Sequence, residues 1–168
     1  AEAKERSRWV TELQALIRRA HLPIVGVAET ANLPGSAWAG IAQGLRARTI
    51  RRRVKDWAKA ERYFATTTGH HWPQSLAAFL DYLHVLCEGG VPPSTLNGVV
   101  MACGFMEKAG GVAPEHCLSA NPLVTTRVKE YGVTARRLTT PTKKAPPTVL
   151  SIIAGLEMAI VEQGRPRF

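Results

Sequence analysis

Six cations, Arg48, Arg51, Arg52, Lys55, Lys59 and Arg62, alternate with the apolar residues Ile50, Val54, Trp57 and Phe64 between residues 45 and 64. At the 100° advance of an α-helix the four apolar side chains fall on one stripe and the six cations on the opposite side. The chemistry open to such a row is phosphate neutralisation, because guanidinium and ammonium groups spaced along a helix match the charge of a nucleic-acid backbone. A charge run is most often just a solvated face. Here the acids Asp56 and Glu61 lie outside the row, whereas a face serving solubility alone usually mixes both signs.

The charge of the whole chain, +9 over 168 residues, is unevenly placed. Residues 45–68 carry eight Lys or Arg against two Asp or Glu, and residues 127–144 carry six against one, while the stretch between them is mildly acidic and apolar. Two basic blocks around a packed middle suggest two contact surfaces for one polyanionic partner. The length suits one domain with extensions, or one domain and the start of another. The first residue is Ala, which leads to the expectation of a piece of a longer protein.

Other chemistries find less support. Cys87, Cys103 and Cys117 leave one thiol over if two pair, which favours a reducing, intracellular setting. With His116 they lack the paired CxxC spacing of a zinc site, and Cys87 and Cys103 fall on apolar stripes, so no metal is expected. His70 and His71 precede Trp72 as turn residues. Gly110 and Gly111 are followed by Val112 and Ala113 with no lysine to hold a nucleotide phosphate. No set of acid, base and nucleophile is evident, so no catalytic residue, cofactor or small-molecule ligand is expected. The longest apolar run, 149–161, is broken by Ser151 and Glu157 and is too short for a bilayer, so no membrane partner is expected either.

The elements that position the basic row read as all-α, with no alternating strand pattern. Val10, Leu13, Leu16 and Ile17 predict an N-terminal amphipathic helix ended by Pro23, followed to Gly44 by short helical turns of a loosely ordered lead-in. The basic helix stops at 66–69. A second helix is predicted from Trp72 and Pro73 to Gly89, with Leu76, Phe79, Leu80, Leu83, Leu86 and Cys87 inward. Pro92, Pro93 and Ser94 open a third, with Leu96, Val99, Val100, Cys103 and Met106 inward, ended by Gly110 and Gly111. Gly98 and Gly104 within it predict the close approach of another backbone. Asn121 caps a fourth, with Leu123, Val128 and Tyr131 inward and Gly132 as its stop. Residues 133–147 read as a basic linker, and Thr148 starts an apolar helix reaching about Glu162.

The four helices between Thr49 and Tyr131 resemble the core-binding domain of tyrosine recombinases, the SAM-like N-terminal half of phage integrases and related mobile-element enzymes. The residues that carry the resemblance are Thr49, Trp57 and Phe64; the run Phe79, Leu80, Asp81, Tyr82, Leu83; Pro93 to Asn97; and Asn121 to Val124 with Lys129. Lys143 to Pro147 with the apolar helix after them resemble the linker and first catalytic-domain helix of eukaryotic retroelement recombinases. Residues 1–44, which the resemblance does not cover, read as an N-terminal helical extension; the resemblance implies a DNA-binding domain over 45–131, a basic linker over 132–147 and the start of a catalytic domain over 148–168. It also implies a clamp around duplex DNA, with self-association on the DNA and, in a eukaryote, a nuclear location. Cleavage in that family needs a tyrosine beside arginines, one in a His-x-x-Arg motif. None of the five histidines has Arg three residues later, and Tyr63, Tyr82 and Tyr131 read as packing residues.

The expected phosphate contacts are Arg48, Arg51, Arg52, Lys55, Arg136, Arg137, Lys143 and Lys144, with Lys129 added by the resemblance. Ser94, Thr95 and Asn97, at the exposed start of the third helix, either cap that helix or reach phosphates and base edges. The rival to DNA binding is a helical protein-interaction module whose basic face meets an acidic partner.

Overall fold

The computed structural model describes residues 2–138, and among these every regular element is helical. The helices are α1 (Glu2–Arg19), α2 (Pro23–Thr30), α3 (Pro34–Ala39), α4 (Ala47–Thr68), α5 (Leu76–Glu88), α6 (Pro93–Ala109) and α7 (Pro122–Leu138), with one 3₁₀ turn at Pro114–His116. The chain divides by its contacts into residues 1–135 and 136–168, and of the second unit only the last turn of α7 is described.

The apolar stripe of the basic helix behaves as its spacing demands. Ile50, Trp57, Ala60 and Phe64 of α4 are fully buried and Val54 nearly so. They make α4 the central element, packed against α1 and α6. Leu13, Leu16 and Ile17 enter from α1, Phe79, Tyr82 and Leu83 from α5, and Leu96, Val99, Ala102, Cys103 and Met106 from α6. Trp57 sits among aromatic rings, with centroids 4.7 Å from Trp72 and 6.4 Å from Phe64, so much of the core's apolar area gathers around one indole. Gly69, in the left-handed region at φ 73°, ends α4 because its amide can turn back to the carbonyl of Ala65 without a Cβ clash.

Polar side chains tie the ends of these helices together. Arg19 at the end of α1 donates to both carboxylate oxygens of Glu61 on α4, at 2.5 and 3.1 Å, and His71 meets the same carboxylate at 3.0 Å. Burial pushes Glu61 up, but Arg19 and then His71 outweigh it and hold the carboxyl below its ordinary value. At the other end Arg6 donates to the carbonyls of Ala42 and Leu45, which fixes the turn leading into α4.

Several local expectations need correction. α1 ends at Arg19, before His21 turns the chain at a φ of 50°, so Pro23 opens α2 instead of closing α1, and residues 24–44 hold two defined helices in mutual contact. The second predicted helix starts at Leu76, not at Pro73, because Ser75 is the residue whose hydroxyl accepts the Ala78 N–H. Gly132 stops nothing: α7 runs on to Leu138, so residues 133–138 are helix rather than linker. On α7 the inward residue is Val124, while Leu123 is 59% exposed. Val128 and Tyr131 are half-buried, and the Tyr131 hydroxyl donates to the Val91 carbonyl at 2.6 Å.

Gly104 and Gly98 have close neighbours, although these are side chains rather than a passing backbone. A Cβ on Gly104 would lie 2.9 Å from the Ser119 hydroxyl oxygen, and one on Gly98 would lie 3.5 Å from the Asp56 carboxylate. The first contact has a cause in the buried Glu107. Its carboxylate accepts the backbone N–H groups of Leu118 and Ser119 and the Ser119 hydroxyl, drawing that loop onto α6.

Candidate nucleic-acid interface

Because α4 buries one side, its other side is presented to solvent along most of its length. Arg48, Arg51, Arg52, Lys55, Lys59 and Arg62 are all exposed and line a single shallow concavity with Ala58 and Asp56. The six cations picked out by spacing are therefore one surface. The surface is less purely positive than the sequence suggests: Asp56 is part of it and lies 3.9 Å from Arg52, and Glu5 of α1 accepts from Arg51 at 3.0 Å. Both pairs are solvent-accessible, where ion pairs are weak and readily exchanged for a phosphate.

Asn97 is exposed on the neighbouring helix α6 and is not among the residues that line the concavity. The start of α6 lies against the middle of α4, with Gly98 facing Asp56. There the Met101 sulfur takes contacts from the Asn97 amide at 3.8 Å and the Arg53 guanidinium at 3.7 Å. Ser94 and Thr95 are exposed in the first turn of α6. Neither caps it: the helix begins at Pro93, Pro92 occupies the cap position, and no side-chain cap bond forms. The first helical turn thus offers the exposed Ser94 and Thr95 side chains, while the Thr95 and Leu96 amides already donate to the Pro92 carbonyl.

The remaining expected contacts stand apart from this cluster in what can be said of them. Lys129 is exposed on α7. Arg136 and Arg137 are exposed in the last turn of the same helix, a place where cations complement the helix dipole, instead of in a linker. Lys143, Lys144 and the apolar segment after them lie outside the described residues.

Two features of the surface escaped the sequence reading. Trp9 of α1 is half-buried at the edge of the row, with the Arg8 guanidinium 5.4 Å and the Lys55 ammonium 5.6 Å from its ring centre. A tryptophan next to Arg8 was the only signal available, since Lys55 is brought there by the packing of α1 on α4. Arg53, three residues from Ile50 and so beside the apolar stripe, is half-buried, and one guanidinium nitrogen is enclosed without a hydrogen-bond partner.

The chemistry this arrangement can perform is electrostatic gripping. Tyr82 is buried, and burial followed by the neighbouring Tyr63 pushes its phenol up to about 12, the opposite of what a phenolate nucleophile requires. Burial likewise raises the thiol of Cys103 well above its ordinary value, with the Glu107 carboxylate adding to the effect. Among the described residues no helix is long and apolar enough to cross a membrane, and no three His, Cys, Asp or Glu side chains are grouped to hold a metal ion. Against known protein families, curated proteins and solved structures the chain gives no match, so its functional reading rests on these residues and their geometry.

Proposed function

We propose that this chain is a DNA-binding module that grips duplex DNA through the exposed face of α4 and the start of α6. The observation that carries the reading is the gathering of six exposed cations from one helix into a single concave strip. Phosphates are bound by Arg48, Arg51, Arg52, Lys55, Lys59 and Arg62, and Ser94, Thr95 and Asn97 approach the backbone or a groove edge. The resemblance of residues 49–131 to the core-binding domain of tyrosine recombinases supports a finer version, in which α4 to α7 form the SAM-like half of a clamp. A catalytic half outside the described residues then cuts and joins strands, with nuclear action and self-association on DNA following in a eukaryotic host.

The test is an anisotropy titration of a labelled duplex with the full chain over a range of salt. Six to eight phosphate contacts give a slope of about −5 to −7 in log K against log salt. Absence of binding at low salt overturns the reading. Binding to acidic proteins with equal affinity and an equal slope would favour the protein-interaction alternative.

A further inference from the structure

Arg53 is the cation of α4 that the basic row leaves out. It does not line the concavity but lies where α4 meets the start of α6, half-buried, with its guanidinium on the Met101 sulfur at 3.7 Å. One terminal nitrogen is enclosed and has no hydrogen-bond partner. Among the described residues Arg53 makes no ion pair, although Asp56 stands three residues on in the same helix; that carboxylate lies 3.9 Å from Arg52 instead. The guanidinium therefore keeps its charge and most of its donor capacity uncommitted.

The Asn97 amide is in a similar position, its nitrogen 3.8 Å from the same sulfur. A thioether is a weak acceptor, whereas a phosphate oxygen makes charge-assisted bonds roughly twice as strong as neutral ones. Met101 is 49% exposed and its unbranched side chain has three rotatable bonds, so it can swing outward and release both donors without disturbing the core. Ser94, Asn97 and Met101 follow one another at three and four residues on α6 and so share a face, all three exposed.

We propose that Arg53 and Asn97 form a phosphate clamp at the seam of α4 and α6, in which a DNA backbone phosphate takes the place of the Met101 sulfur, with the Ser94 hydroxyl beside it. The inference rests on the reading of α4 as a DNA face and adds to it a contact on the α6 side that the six-cation row does not include. Burial selects a phosphate over a base edge: a half-buried arginine flanked by two helices cannot extend into a groove, while phosphates stand out from the duplex surface. Asp56, which faces Gly98 at this seam, opposes the phosphate, and Arg52 beside it offsets that charge.

The test is the anisotropy titration of labelled duplexes of two unrelated sequences with the full chain and its variants, each checked for folding by circular dichroism. Arg53→Gln should weaken binding about five- to tenfold on both duplexes and reduce the salt slope by about one. Arg53→Lys should keep the slope and recover part of the affinity, because the charge remains and the fork is lost. Asn97→Ala removes an exposed neutral donor and should cost about threefold with the slope unchanged, which keeps the proposal testable should Arg53→Gln fail to fold. Met101→Leu removes only the sulfur acceptor and should bind within about twofold of the parent. A parent that binds while Arg53→Gln and Asn97→Ala bind equally well overturns the clamp and leaves the DNA reading standing. A loss confined to one duplex sequence, or a Met101→Leu as weak as Arg53→Gln, also overturns it, the first by assigning a base edge and the second by assigning packing. A parent that binds neither duplex at low salt sinks the DNA reading, and the clamp with it.

Discussion

The Glu107 carboxylate, 1% exposed, accepts both the backbone N–H of Ser119, at 3.2 Å, and its hydroxyl, at 2.5 Å. An acid on α6 thus serves as the anchor for the loop that precedes α7, standing in for backbone partners that a loop cannot supply for itself. Removing it leaves the amides of Leu118 and Ser119 without an acceptor. Glu107→Ala should destabilise the fold by about 2–4 kcal/mol, and Glu107→Gln by less, because the amide oxygen still accepts. Denaturant titration checks this, and a neutral Glu107→Ala would mean the loop finds other partners.

Trp57 carries the heaviest share of the core. Trp57→Ala should cost about 3–5 kcal/mol, since it opens a cavity between Phe64 and Trp72 at the point where α4 meets its neighbours. Chemical denaturation giving less than about 1 kcal/mol would place the apolar and basic faces of α4 the wrong way round.

The Arg19, Glu61 and His71 cluster makes stability depend on pH in a definite sense. Glu61 is held below its ordinary value in the fold, so it contributes stability above the unfolded carboxyl's range and loses it as pH falls through the folded value. Glu61→Gln should therefore be less stable than the parent near neutrality, with the gap closing as pH is lowered from about 5 toward 3. Thermal melts across that window decide it, and a gap constant with pH would show that the carboxylate is not the source.

Two acids temper the DNA face, and removing them should strengthen it. Glu5→Gln frees Arg51 and Asp56→Asn frees Arg52, and each should tighten duplex binding about two- to fivefold at low salt, with the gain shrinking as salt rises. Anisotropy measures this directly. Unchanged affinity in both variants would take Arg51 and Arg52 out of the contact.

The chain should bind DNA without forming a covalent bond to it. The buried phenol of Tyr82 is raised and the hydroxyl of Tyr131 is spent on Val91, so neither is set up to attack phosphorus. A nicked suicide substrate should yield no adduct on denaturing gels. An adduct abolished by Tyr63→Phe, Tyr82→Phe or Tyr131→Phe would make the chain an enzyme in itself.

Much of the fold was legible because α4, α5 and α6 obey strict apolar spacing, and the face of α4 followed from that spacing alone. What escaped depended on contacts between distant residues. The start of α5 was misplaced because Pro73 is a permitted first residue, while the deciding bond is the one Ser75 accepts from Ala78. Gly132 looked like a stop, yet a glycine ends a helix only where the chain must turn, and here it stays within α7. Leu123 and Val124 were exchanged because a two-residue choice on a short apolar pattern is settled by where the helix is held, at Asn121 and by Tyr131 on Val91. At the candidate interface, the cations could be read locally, but Glu5 and Trp9 reach it from α1 through tertiary packing.

One helix supplies both the centre of the core and the six cations, so its length cannot change without consequence for both. A single residue inserted between Trp57 and Lys59 would turn everything after it by about 100° relative to the first half. Lys59 and Arg62 would leave the line set by Arg48, Arg52 and Lys55, and Phe64 would leave its place beside Trp57. Any one cation can be exchanged at modest loss, whereas the residue count from Ile50 to Phe64 tolerates no slip. The spacing of α4, more than the identity of its charges, is what the core and the basic face both require.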